Sequence, residues 1–371
     1  MKKQMVTSNA WHIALVLVGT VVGAGFVSGA EIITYFAKYG EAGLWTIGLA
    51  GLLFFLGAYG TLKIAYEYGN TEYGAFAETI AGKWLGTVMD ILVSFSMLLG
   101  YGVMLAGSGA VFLQQWGVSE WVGSLCMAAA TLLAMKFGPD GIVTVNRFLT
   151  PLLIAGIIFL SIYSIWTAVS VTETVGLSLQ PLSIFTAQPL ENLGLAMRDA
   201  VVYASYNMLG AGAVLVVLAK QIEGDREACA VGVLASLILV ILTFALGLAT
   251  FLNYDTIVNI PIPALELLRD HQLWQRLYII VLLGAMYTTA VSDGFGLVSR
   301  MQSIWPNKRS ELCIVVTIIA LLLSHMGFSD MVAKGYRLFG YIGIGQMLFV
   351  VVKCIPKKET RYGKQERRKQ R

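Results

Sequence analysis

Charge is scarce in this chain: only 13% of its 371 residues are Asp, Glu, Lys or Arg, about half the roughly 25% of soluble domains. A solvated globular surface is therefore excluded. Cysteine and histidine are also sparse. Cys126, Cys229, Cys313 and Cys354 lie in or beside apolar segments, without the CxxC spacing of a metal site or the density of a disulfide scaffold. They read as small buried hydrophobes. His12, His271 and His325 are scattered, with no paired Cys or carboxylate spacing, so neither zinc nor haem is expected. There is no phosphate loop, no paired nucleophile and base, and no soluble segment able to hold ATP, so no enzyme is expected. The formal net charge of +4 owes much to the terminal run from Lys357 to Arg371. A basic tail just past an apolar span is a cytoplasmic retention signal able to touch anionic lipid. Nucleic acid is not an expected partner.

What is abundant is hydrophobicity, 57% of residues with a mean hydropathy of +0.73, so the partner is the lipid bilayer. With about 20 apolar residues per crossing, ten spans fall near 11–37, 42–65, 87–114, 119–136, 148–169, 194–219, 229–252, 274–304, 311–326 and 331–353. An even count puts both termini on one side. If that side is the cytoplasm, Lys2, Lys3, Lys83, Lys136, Arg147, Lys220, Arg226, Lys308, Arg309 and the tail are inside. Only Lys38, Arg198, Arg269, Arg276, Lys334 and Arg337 then lie on or near the outer side. The positive-inside bias supports this arrangement and a bacterial cytoplasmic membrane. The N-terminus imitates a signal peptide, but cleavage would remove the first span. Three connections look structured: a short cytoplasmic-surface helix within 70–84, an outer loop over 171–192, and a turn with a short amphipathic helix after Pro263 that would serve as a lid.

Within the first span the string Gly19-Thr-Val-Val-Gly-Ala-Gly-Phe-Val-Ser-Gly-Ala-Glu31 interrupts what should be a continuous helix. Unwound backbone at membrane depth is tolerated only where protein or a water-filled cavity satisfies it. Val22-Gly-Ala-Gly-Phe-Val27 is answered by Leu209-Gly-Ala-Gly-Ala-Val214, and paired glycine-broken segments in corresponding halves point to a transporter's binding site. Five spans precede about residue 186 and five follow, so the halves are expected to be inverted repeats. The expected units are residues 1–185, residues 186–355 and a basic cytoplasmic tail, 356–371. The fold class is an all-α integral membrane protein of ten helices, with the first and sixth broken. Unwinding near Val22 to Phe26 would aim the amides of Gly23, Ala24, Gly25 and Phe26 at a substrate carboxylate. The alternative is close helix packing through small residues. A second break over Ala204–Gly212 would offer carbonyls to a substrate ammonium, with Ser205, Tyr206, Met208 and Ala211 lining the site. Tyr101 is the candidate from the third span, which also carries Ser94, Ser96, Gly100 and Gly102.

Gly19-x-x-Val22-Gly23-x-Gly25, Met208-Leu-Gly-Ala-Gly-Ala213 and Ala285-x-x-Thr288-Thr289 resemble the first, sixth and eighth helix motifs of the LeuT-type transporters. The string from Gly19 to Glu31, with Tyr203-Ala-Ser-Tyr-Asn207, is similar to the YkvI-like amino-acid permeases of the amino acid-polyamine-organocation superfamily. The resemblance implies a secondary transporter moving an amino acid or similar small zwitterion by symport. It also implies a sodium ion held by the carbonyls of Gly19, Val22 and Ala285 and the hydroxyls of Thr288 and Thr289. Oxygen-only ligation suits a hard cation, although paired threonines in a membrane helix also bond within their own helix. Proton-coupled relatives can carry a lysine in the fifth span, and 148–168 has none. Glu31 and Asp293 are nevertheless coupling candidates, since intramembrane carboxylates commonly relay protons; each could instead cap a local turn. Asp90, Arg198 and Asp199 are expected to be interfacial. A nutrient sensor with a permease fold is the alternative class.

Overall fold

The computed structural model describes residues 2–137, 140–174, 192–302 and 304–354, with side chains over 9–135, 150–170, 192–302 and 304–354. Most of the loop over 171–192, the side chains of Lys136 and Arg147, and the tail lie outside the described residues. The described residues are helical. α1 (Lys2–Val21) is followed by two short pieces, α2 (Ala24–Val27) and α3 (Ala30–Tyr35), and a 3-10 turn, Ala37–Tyr39. Then come α4 (Glu41–Tyr68), α5 (Tyr73–Ala81), α6 (Lys83–Trp116), α7 (Glu120–Phe137) and α8 (Asp140–Thr174). The second part holds α9 (Leu193–Leu218), α10 (Asp225–Leu252), α11 (Tyr254–Ile257), α12 (Pro263–Glu266), α13 (Gln272–Gln302) and α14 (Arg309–Ser324). It ends with α15 (Phe328–Asp330), a π turn at Met331–Gly335, and α16 (Tyr336–Cys354).

Seven of these stretches are long and apolar enough to cross a membrane: Glu41–Tyr68, Lys83–Trp116, Thr150–Ser170, Leu193–Gln221, Asp225–Leu252, Gln272–Gln302 and Phe328–Cys354. Asn9–Val21 and Glu120–Met135 are apolar but shorter. The surface segment within 70–84 forms α5, which lays Phe76, Ala77 and Ile80 against α6. The expected lid helix does begin at Pro263, the favoured residue for a first helical turn, but extends only four residues.

Packing sorts the helices into two groups. α1, α4, α9 and α10 pack on one another, and α6, α7, α13 and α14 form a second set. α8 touches both groups, through α10 and α13, while α16 lies along α9 and α4. Close approach in lipid depends on small residues. A side chain at Gly86 would collide with the backbone of Glu78 at 2.6 Å, which lets α5 settle onto α6.

One expectation is corrected. α9 runs without interruption from Leu193 to Leu218, so the sixth apolar segment is not broken at Ala204–Gly212. Neither Gly210 nor Gly212 has a positive φ. Glycine permits unwinding but does not compel it, and here the ladder is kept and the missing side chain is used for packing. A Cβ on Gly212 would stand 2.7 Å from Gln346 Nε2. That glycine admits Gln346, whose amide donates to the Met208 carbonyl at 3.2 Å while its Oε1 accepts from Tyr73 at 2.6 Å. A Cβ on Gly210 would meet nothing within 4 Å. Two substitutions test this reading. Gly212→Leu should lower the melting temperature of the purified protein, by about 1–3 kcal/mol of overpacking. Gly210→Ala should leave it unchanged. Equal tolerance of both would contradict the packing role.

Candidate functional site

The site is built where the first apolar segment changes direction. Of the last carbonyls of α1, that of Val18 accepts from Val22 N at 2.7 Å and that of Val21 from Gly23 N at 2.8 Å. Those of Gly19 and Thr20 are left without an amide from their own ladder, as the last turn of any helix leaves carbonyls. Beyond Gly23 the amides of Ala24, Gly25 and Phe26 form the first turn of α2. Ser28 hydroxyl ties back to the Gly25 carbonyl at 2.8 Å. Gly29 then turns the chain at φ +82°, where an L side chain is strained.

The far side of the break is covered. Ala264 N of α12 donates to Ser28 O at 2.9 Å, and Tyr278 of α13 donates to Val27 O at 2.6 Å. Gln114 of α6 holds Ile262 at both its amide and its carbonyl, each at 3.1 Å. On the same side, Asp199 is fully buried and gathers three cations from three segments. Lys38 Nζ lies 2.9 Å from Oδ2, Arg198 Nη2 2.9 Å from Oδ1 and Arg337 Nη2 3.2 Å from Oδ2. Tyr39 also donates to Oδ2 at 2.6 Å, and burial with this bond pushes its hydroxyl up to about 12. Asp199 and Arg198, near the start of α9, thus form a latch joining that helix to the Ala37–Tyr39 turn and to α16.

The other side is open. Gly23, like Gly210, has nothing within 4 Å of where a side chain would begin. His12 and Thr20 of α1 are exposed, and Tyr206, Asn207 and Gly210 on one face of α9 are half-buried, as are Thr289 and Asp293 one turn apart on α13. Further out on that side, Arg300 of α13 pairs with Asp90 of α6 and lies over the Tyr73 ring, 5.6 Å from its centre.

Tyr206 is the sequence candidate that reaches the break: it donates a short hydrogen bond to Glu31 Oε2 and stacks on Tyr336 at 4.8 Å. Val22, Ala24, Gly25 and Phe26 are buried around the turn, with Gly23 partly open. The remaining substrate candidates face elsewhere. Ser205 donates to Met347 sulfur at 3.3 Å. Met208 packs on Gly57 of α4, Ala211 is fully buried, and Tyr101 donates to Thr317 of α14 at 3.1 Å. Glu31 lies in the first turn of α3 and accepts from Tyr206, while Asp293 sits inside the continuous α13.

Among the proposed cation ligands, Thr288 is buried and donates to Ala285 O at 3.2 Å. That intrahelical bond leaves lone pairs on both oxygens, so the donor set stays chemically suited to a hard cation. A Cβ on Gly19 would touch Thr150 Oγ1 of α8 at 2.8 Å, so the Thr150 side chain, which sequence reasoning did not single out, packs against that glycine. Tyr336 and Gln346 were missed as well, since an aromatic and an amide in a late span carry no spacing signal.

No protein-family model matches the chain. It is similar to two proteins of Bacillus subtilis (strain 168). One is an uncharacterized membrane protein, YkvI, 27% identical over 95% of this chain and 98% of that protein. The other is an uncharacterized protein, YyaD, 27% identical over 89% and 92%. Among solved structures, MhsT in complex with L-phenylalanine aligns with a TM-score of 0.65 at 17% identity, covering 95% of this chain and 93% of that one. The Eremococcus coleocola manganese transporter aligns at 0.62 with 15% identity, covering 98% and 83%. The inward-facing conformation of Mhp1 aligns at 0.61 with 12% identity, covering 92% and 75%. The class is therefore an all-helical membrane protein with the LeuT-type transporter fold, and no enzyme is among these relatives. Within that class the chain is similar to YkvI and YyaD over nearly its whole length.

The latch makes a testable demand. Asp199→Asn leaves three clustered, partly exposed cations without their buried anion. In a background without native cysteines, Gly23→Cys should react with an impermeant thiol reagent from one side of the membrane only. Adding Asp199→Asn should make it reactive from both. Unchanged one-sided labelling would mean that the Asp199 cluster does not hold that side shut.

Proposed function

We propose that this protein is a secondary active transporter that carries an amino acid or similar small zwitterion inward with sodium. The spans are read as ten, in two inverted halves, with both termini in the cytoplasm of a bacterium. The observation that carries the reading is the broken first segment. Carbonyls of Gly19 and Thr20 that no backbone amide among the described residues takes, open space at Gly23 and the first-turn amides of α2 lie along one short stretch of chain inside a LeuT-type fold. Under this reading the amides of Ala24, Gly25 and Phe26 face the substrate carboxylate. The sodium ion rests on Gly19, Val22 and Ala285 carbonyls and the Thr288 and Thr289 hydroxyls, joining α1 to α13 across the two helix groups. Ion binding then favours one arrangement of those groups, and by reciprocity substrate affinity rises with sodium.

With the basic residues inside, the Asp199 latch is external and the opening at Gly23 faces the cytoplasm. Transport follows from rocking α1, α4, α9 and α10 against α6, α7, α13 and α14.

Counterflow of labelled substrate in proteoliposomes tests the reading. Exchange stimulated by sodium is expected; binding without exchange would make the protein a sensor. Thr289→Ala should reduce sodium stimulation by about tenfold, equivalent to roughly 1.4 kcal/mol of coupling, with the melting temperature kept. Unchanged sodium dependence would remove the cation site.

A further inference from the structure

A chain of polar contacts crosses between the helix groups beside the Asp90–Arg300 pair. The buried Tyr73 hydroxyl of α5 donates to Gln346 Oε1 of α16 at 2.6 Å, and the buried Gln346 amide donates to the Met208 carbonyl of α9 at 3.2 Å. The Tyr73 ring extends the chain. The Arg300 guanidinium of α13 lies over that ring, 5.6 Å from its centre, and pairs with Asp90 of α6. A Cβ on Gly212 would stand 3.8 Å from the same ring, which therefore lies against α9.

The two ends of the Tyr73–Gln346 bond belong to different bodies. α16 is fixed along α9: a Cβ on Gly343 would overlap the Ser205 carbonyl, and one on Gly340 would stand 2.7 Å from that of Val202. Tyr336 also stacks on Tyr206, and Arg337 pairs with Asp199. Gln346 therefore moves with α9. α5 is fixed to α6 instead, with Gly86 against the Glu78 backbone and Gly74 facing the Asp90 carboxylate at 3.8 Å from where its Cβ would be. Tyr73 therefore moves with α6. Among the described residues no other donor reaches Gln346 Oε1. Displacing one group against the other costs that buried oxygen its partner, and a contact made in one arrangement only biases the balance between arrangements by its own free energy.

Building on the two-group movement of the transporter reading, we infer that Tyr73 and Gln346 form a conformational brake. Their hydrogen bond holds the centre of α9 against α5 and favours the arrangement seen here, open at Gly23 and closed at the Asp199 latch. Both are positioning residues: Gln346 acts on α9 through the Met208 carbonyl, and Arg300 with Asp90 steadies the Tyr73 ring. Gly212 is then part of the brake, since a side chain there would displace the Gln346 amide.

The test uses Gly23→Cys in the background without native cysteines and measures its rate of modification by an impermeant thiol reagent from each side of the membrane. Tyr73→Phe keeps the ring beneath Arg300 and removes only the hydroxyl. Modification from the latch side should become about two- to tenfold faster, as the loss of one buried hydrogen bond implies. Gln346→Leu should do the same, and the double variant should do no more than either single one. If one variant does not fold, the other gives the same readout. An unchanged ratio of the two rates overturns the brake, even where the melting temperature falls, because the bond is then merely structural. Effects that add in the double variant overturn it as well. The two readings fail separately. If Asp199→Asn admits the reagent from the latch side and Tyr73→Phe does not, the groups move without this brake. If Tyr73→Phe shifts the ratio but counterflow is absent, the brake stands in a protein that does not transport.

Discussion

A backbone amide or carbonyl inside a bilayer must find its partner in the protein or in water that the protein admits. The turn between Val21 and Ala30 meets that constraint piece by piece. Val22 and Gly23 fold back on α1, Ser28 closes α2, and α12 and Tyr278 cover the carbonyls of Ser28 and Val27. What remains unsatisfied lies toward Gly23, where the space is open. The position of the site follows from which groups the turn could not pair.

The same constraint explains why the two glycine strings behave differently. In the first, Gly29 adopts a left-handed conformation and Gly25 yields its volume to Glu31, so the chain is committed to a bend. In the second, Gly212 yields its volume to Gln346, which reaches the Met208 carbonyl without breaking the helix. The strings look alike because glycine supplies both conformational freedom and empty space, and sequence does not distinguish which is used.

Much of the architecture was legible in hydropathy and glycine pattern: an all-helical membrane protein, a disrupted first segment, a short helix starting at Pro263. Contacts between distant segments were not. Asp199 and Arg198 sit at a span end, but Lys38 and Arg337, which complete the latch, come from far along the chain. The hydrogen bond from Tyr206 to Glu31 was not legible either, because the two lie 175 residues apart. Ser205 and Met208 shared a helix with Tyr206 but not a face, and their polarity and size gave no sign of which neighbour they would meet.

The central claim is that backbone is exposed to water at Gly23 and is not exposed at the middle of α9. Amide hydrogen exchange followed by mass spectrometry on the purified protein measures both at once. Peptides covering Gly23 to Phe26 should exchange early, while peptides covering Asn207 to Leu215 stay protected until the protein unfolds. Equal protection of the two would mean that the first segment is continuous and the site does not exist as described.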